Sequence, residues 1–324
     1  MFMRTFITAA LGLALCLTVG CNKKPGATPG PGTKRIAVIP KGESHSFWKS
    51  VKVGADKASA ETGYTIIWKG PPKEDDRSQQ IGLVEQYVSE GVAGICLAPL
   101  DSSALVDPVA LASRKKIPVV IFDSALKGEA GKDFASFVAT DNKKGGTIAG
   151  EELARILGGK GKVVMLRYAV GSASTEEREK GFLEAMAKFP DIQMIEKDRY
   201  GGASLNEAQK NAENLLDKLK VCDGVFCPNE SSTQAMLNVL RDNGLAGKKK
   251  FVGFDTSVAL LGGLKDGHIQ ALLSQNPTQM GYLAVKTMVQ QLKGEKVPAI
   301  IDTGCKLITL ENLNTPEVKA LIGG

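Results

Sequence analysis

The chain has 324 residues, of which 43% are hydrophobic, 23% charged and 6% aromatic. That is ordinary globular composition, with length enough for two domains rather than one. The net charge of +6 is spread among 35 acids, with no basic stripe, no RNA-binding aromatic motif and no zinc-finger spacing. Nucleic acid is therefore excluded as a partner, and the charge balance serves solubility.

The first element is an export signal. Arg4 precedes an apolar run over residues 6–19 that is short for a bilayer span, and Gly20-Cys21 follow it. A small residue directly before a cysteine resembles the bacterial lipoprotein cleavage box. Here the box reads Thr18-Val19-Gly20-Cys21, with Thr18 where Leu is usual. Residues 1–20 are accordingly expected to be a signal peptide, and Cys21 is the expected site of lipidation. "NKKPGATPGPGT" after it is rich in Pro and Gly without apolar periodicity, so residues 21–33 read as a tether.

From residue 34 onward short β-branched runs alternate with amphipathic stretches. The strands are "RIAVI", "YTIIW", "GICLA", "PVVIF", "KVVML", "DGVFC" and "KFVGF", and helices are expected near residues 78–90, 102–116 and 175–189. Apolar strands separated by helical stretches predict parallel sheets covered on both faces. Right-handed βαβ units, four or five before residue 140 and three or four after it, predict two similar α/β lobes. Helix starts are expected at Ser46, at Ser102 or Ser103, and at Ser231 or Ser232. Cys96 sits in an apolar strand and reads as a small buried hydrophobe. Cys222 and Cys227 flank a strand, which sets them about 16 Å apart if extended, beyond disulfide reach. No Cys/His spacing indicates a metal.

In open α/β sheets ligands bind beyond the carboxyl ends of the strands. The residues found there are His45, Phe47 and Trp48; Pro99, Leu100 and Asp101; Asp123 and Ser124; Arg167 and Tyr168; Asn229 and Glu230; Asp255; and Gln275 and Asn276. The set is rich in Asp, Asn and Gln and contains no nucleophile–base pair. His268 precedes a strand, at the wrong end to work with His45. No phosphate-binding glycine loop opens a helix, and "LGGKGK" reads as a helix-ending loop. Asp75-Asp76 in "KEDD" read as a solvated face rather than an acid/base pair. These residues argue against an enzyme and call for no cofactor. Adjacent Phe47 and Trp48 cannot both face a core from one helix, so at least one is expected to point into a cleft.

Seven motifs in order then carry a resemblance: "IAVIPKGESHSFWKSVKVGA", "IPVVIFDS", "VATDNKKGGTIAGEEL", "GSASTEEREKGF", "VFCPNE", "FVGFD" and "LLSQNPTQMG". From residue 34 to about residue 309 the chain resembles the periplasmic sugar-binding proteins of ABC importers, the ribose-binding protein group. The resemblance implies two doubly wound lobes joined by three crossovers, near Thr140-Asp141, Gln275-Asn276 and Thr303-Gly304. The lobes would comprise residues 34–140 plus 276–303 and residues 141–275 plus 304–324. It implies a monosaccharide or small polyol held between the lobes by hinge closure and passed by a monomeric, membrane-anchored, extracytoplasmic protein to an ABC permease. A sensor that presents its ligand to a chemoreceptor or histidine kinase is the alternative. Repressors that share the fold carry a helix-turn-helix ahead of it, where this chain has its signal and tether. The ligand-contacting residues it implies are His45 (where relatives often have Asn), Phe47, Trp48, Asp123, Arg178, Asn229, Asp255 and Gln275. Ser124 stands where ribose binders carry Arg, and either Tyr200 or Ala203 would occupy the remaining aromatic-wall position. From local sequence alone, Arg178 reads as a surface partner of a glutamate, Asp255 as a helix cap, and Asn229 equally as cap or ligand group.

Overall fold

The computed structural model describes residues 34–323; the expected signal peptide, the expected tether and Cys21 lie outside the described residues. In chain order the elements are β1 (Arg35–Ile39), α1 (Ser46–Thr62), β2 (Thr65–Trp68), α2 (Arg77–Glu90), β3 (Gly94–Leu97), α3 (Val106–Arg114), β4 (Val119–Phe122) and β5 (Ser136–Ala139). There follow α4 (Asn142–Leu157), β6 (Lys160–Met165), α5 (Ala173–Met186), β7 (Asp191–Glu196), α6 (Leu205–Glu213), α7 (Leu216–Val221), β8 (Gly224–Phe226) and α8 (Glu230–Asp242). The last are β9 (Lys250–Phe254), α9 (Val258–Lys265), β10 (Ala271–Gln275), α10 (Pro277–Leu292), β11 (Ile300–Asp302), β12 (Cys305–Thr309) and α11 (Pro316–Ile322).

They build two sheets of the same design. One runs β2-β1-β3-β4-β5-β11 and the other β7-β6-β8-β9-β10-β12. Pairing is parallel throughout, as expected, except at one edge, where β12 runs antiparallel to β10. The chain passes from one sheet to the other after β5, after β10 and after β11. The seven strands read from the sequence are all present. The pale edge strands β7, β11 and β12 are the ones that local pattern conveyed least, because their exposed positions break the apolar run.

Each sheet carries an apolar cluster on both faces. Ile39, Leu97 and Ile121 face one side of the first sheet, while Val38, Trp48 and Phe122 face the other. Phe182, Phe226 and Phe254 anchor one side of the second, with Phe182 and Phe226 stacked at 4.0 Å between centroids. In the first lobe α1 and α10 touch along their backbones. A side chain at Gly281 would run into the Val51 carbonyl, which is why this helix carries glycine in mid-course.

Helix starts differ in detail from expectation. The cap of α1 position is His45, one residue early, and its side chain makes no capping bond. Residues 102–105 form a turn held by Asp101, so α3 begins only at Val106. Asn229, not Ser231 or Ser232, caps α8. Cys96, Cys222 and Cys227 are buried and free, as is the half-buried Cys305.

Candidate ligand site

The carboxyl ends of the two sheets face each other across a pocket with about 340 Å³ of space between its walls, part of it open to solvent. His45, Phe47, Trp48, Asp123, Arg178, Asn229, Asp255 and Gln275 all line it. Eight residues from distant parts of the chain thus meet in one place.

Asp123 follows β4 and Asp255 follows β9, and each adopts a left-handed backbone, with φ of 62° and 71°. Apart from Lys116 they are the only non-glycine residues to do so among the described residues. Such backbone is costly for a side chain bearing Cβ and concentrates at functional positions. Here it turns the carboxylate off the strand end and into the cleft at matching positions of the two lobes.

In the second lobe, Asp255 accepts from Gln275 Nε2 at 2.8 Å and from the Glu230 amide at 2.8 Å. Burial pushes its carboxyl up to about 6, against the opposing pull of Arg178 and of these hydrogen bonds. Arg178 is 2% exposed. Its Nε donates to Asn142 Oδ1 (2.8 Å), one terminal nitrogen donates to the Pro228 carbonyl (2.9 Å), and its plane lies 4.4 Å from the centroid of Phe254. Two bonds leave the rest of the guanidinium fork for the cavity. Arg178 is therefore no surface partner of glutamate; the equally buried Glu179 beside it pairs with Arg167 instead, at 2.6 Å. Asp255 does not cap α9, whose cap position is Ser257. Asn229 caps α8, its Oδ1 accepting from the Ser232 amide at 3.3 Å, and it also lines the pocket.

Phe47 and Trp48 correct a simpler picture. Trp48 is 3% exposed and belongs to the core; Phe47 packs against the same cluster, with the rings edge-to-face at 4.9 Å. Both also line the pocket, because the first turn of α1 sits at the rim of the sheet, where core and cleft share a wall. Ser124 differs from expectation. It is fully buried and does not line the pocket; its Oγ accepts from the Ser174 amide of the other lobe at 3.1 Å. Tyr200 and Ala203 line a neighbouring cavity instead, Tyr200 lying under the Arg167 guanidinium at 4.5 Å. The aromatic facing the site from that side is Tyr168.

Six lining residues were not among the expected contacts: Lys41, Glu74, Tyr168, Ser174, Thr175 and Glu230. Lys41, 3% exposed, reaches across the cleft to Ser172 Oγ (3.1 Å) and Ser174 Oγ (2.9 Å) and pairs with Asp123 at 3.3 Å. Glu74 accepts from Trp48 Nε1 (2.7 Å), His45 Nδ1 (2.6 Å) and, from the opposite lobe, Tyr168 OH (2.9 Å). Burial acts against charge on His45, yet Glu74, with Glu230 and Asp255 beyond it, lifts the imidazole to about 9. Burial likewise opposes charge on Glu74, but His45, the indole and Lys41 hold its carboxyl below the usual range. Glu230 Oε1 and Oε2 accept from the Ser46 and Phe47 amides at 3.0 and 2.9 Å, so the second lobe supplies the cap that α1 lacks in its own. Tyr168 and Glu230 did stand at strand ends. Glu74 lay in an acidic run that looked solvated, and Lys41 in a loop with no pattern.

A two-lobed α/β protein with its pocket between facing strand ends is the architecture of a solute-binding protein. Residues 36–296 match the family model described as periplasmic binding protein domain, and the chain belongs to that family. It is 30% identical over 313 residues to the ribose import binding protein RbsB of Salmonella typhimurium, covering 95% of this chain and 99% of that one. Among solved structures, a solute-binding protein of Agrobacterium vitis with bound D-fucose superposes with a TM-score of 0.86 at 34% identity, covering 89% of this chain and 99% of the other. One of Agrobacterium radiobacter in complex with D-arabinose gives 0.85 at 33% identity, covering 90% and 100%.

Proposed function

We propose that the protein is the extracytoplasmic solute-binding component of an ABC importer for an uncharged monosaccharide or small polyol. The observation that carries this is the pairing of charge inside the pocket. His45 is matched by Glu74 and Lys41 by Asp123, Arg178 and Asp255 lie in each other's field, and Glu230 faces the amino end of α1. A charged ligand would leave one of these buried groups unbalanced at heavy cost. A polyhydroxylated neutral ligand instead meets donors and acceptors with its hydroxyls, and aromatic edges with its C–H faces.

His45, Phe47, Trp48, Asp123, Arg178, Asn229, Asp255 and Gln275 form the contact set, with Ser124 acting through Ser174. Ligand bridges the lobes, residues 34–140 plus 276–303 against 141–275 plus 304–324, and favours the closed arrangement through its higher affinity for it. The closed monomer then docks on the permease, held near the membrane by a lipid on Cys21. The relatives are named for import and binding, which favours transport over a sensor role. The test is a thermal-shift screen of pentoses, hexoses, deoxysugars, inositols and linear polyols. A sugar or polyol that raises the melting temperature and binds at one per chain supports the reading. No response to any of them, with stabilisation by an amino acid or nucleoside, refutes it.

A further inference from the structure

Glu74 lies outside every motif that carries the family resemblance, yet it is the most heavily bonded acid in the cleft. Its two oxygens receive the Trp48 indole, the His45 ring and the Tyr168 hydroxyl, at 2.7, 2.6 and 2.9 Å. Room for it comes from Gly42, where a Cβ would stand 2.6 Å from Glu74 Cγ. Because Nδ1 of His45 is turned to the carboxylate, Nε2 is the ring nitrogen left for the cavity that His45 lines. Nε2 has no protein partner, and it is not sealed in the interior either. Among the described residues, Thr303 Oγ1 is the only fully buried side-chain nitrogen or oxygen without one.

We propose that Glu74 is a positioning residue for ligand selection, fixing His45 as a two-proton donor whose free Nε2–H is presented to an acceptor oxygen of the ligand. The inference rests on the binding role proposed above. An asparagine at this place can donate or accept, whereas an imidazolium only donates. The site therefore selects ligands that put a ring oxygen or hydroxyl oxygen at that point and discriminates against analogues lacking it. The other charged groups facing the imidazole are Glu230 and Asp255, with Lys41, Asp123 and Arg178 on the remaining walls. Trp48 and His45 share Glu74's lobe, so the pair persists when the cleft opens, while the Tyr168 bond forms only on closure.

The experiment compares wild type with Glu74→Gln and Glu74→Asp by two readouts. The first is the protonation of His45 followed by nitrogen-15 NMR of the ligand-free protein, His268 serving as internal control. His45 should stay doubly protonated at pH 7.5 in wild type and in Glu74→Asp, and titrate near or below the ordinary histidine value of about 6.5 in Glu74→Gln. The second is affinity from pH 5.5 to 8 for D-ribose, D-allose, D-arabinose, D-fucose and xylitol. Charge-assisted hydrogen bonds are about twice as strong as neutral ones, so Glu74→Gln should lose roughly fivefold more affinity at pH 8 than at pH 5.5, relative to wild type. Asp255 is present in both proteins and cancels in that ratio. The excess should vanish in a His45→Asn background. A neutral His45 at pH 7.5 in wild type, or a pH-independent ratio, overturns the proposal. If none of the five ligands binds, the affinity series is run with the sugar or polyol that the thermal-shift screen identifies, and the NMR result by itself decides whether Glu74 holds the second proton on His45.

Discussion

Replacing Glu230 by alanine should separate closure from folding. The carboxylate belongs to the first turn of α8 in one lobe, yet its two oxygens accept the Ser46 and Phe47 amides of the other. Those amides start α1, whose cap residue His45 makes no capping bond of its own. The interaction therefore exists only when the lobes are together. Losing a helix cap costs about 1 kcal/mol, with up to about 2 in favourable cases. The charge at the amino end of the helix adds about 0.5 kcal/mol. Closure should thus weaken by ~1.5 kcal/mol, which is about tenfold in affinity. Within its own lobe the variant loses only the favourable placement of an acid in the first turn of α8, about 0.5 kcal/mol. Calorimetric titration with the best ligand from the screen gives the first quantity, and denaturant unfolding of the ligand-free protein gives the second. The expected result is a tenfold loss of affinity with unfolding nearly unchanged. Affinity within twofold of wild type, or a loss of stability as large as the loss of binding, would refute the cross-lobe cap.

Two further outcomes follow from the site and the amino terminus. The Asp255 carboxyl is raised from 3.8 to about 6, so the folded protein holds its proton longer than the unfolded chain, and stability should fall as pH rises through that window. The full step corresponds to ~3 kcal/mol. Asp255→Asn should remove that decline in denaturant midpoints measured between pH 4 and 6.5, while abolishing ligand binding; an unchanged slope would mean that another group titrates there. Cys21→Ser, expressed with its signal, should move the protein from the membrane to the soluble fraction, and persistent membrane attachment would exclude lipidation at that position.

Much of the site was legible because strand ends are legible. A buried parallel strand is an apolar run that stops abruptly, and in this fold whatever polar residue stands next faces the cleft. Asp123, Asn229, Asp255 and Gln275 follow from that rule alone. Arg178 sits inside a helix, and only the family resemblance reached it; locally it could not be told from its neighbour Glu179's exposed-looking surroundings, although both are buried. Ser124 was placed correctly beside Asp123 but bonds to the opposite lobe rather than the pocket.

Local sequence determined the alternation of strands and helices, hence two sheets and the cleft between them, because burial on both faces demands continuous apolar strands. It could not determine the partners that make the cleft's polar groups tolerable. Glu74 is an acid in a charged run, Lys41 a lysine in a loop, and nothing within several residues of either shows that it is buried. Their burial is set by Tyr168 and by Ser172 and Ser174, some ninety to more than a hundred and thirty positions away along the chain. Those hydrogen bonds join residues of different lobes, so they form only when the two lobes close on each other. The tertiary structure therefore decided what the start of α1 does: His45 is held by Glu74, Trp48 is tied to the same carboxylate, and the helix that begins at Ser46 is capped from across the cleft.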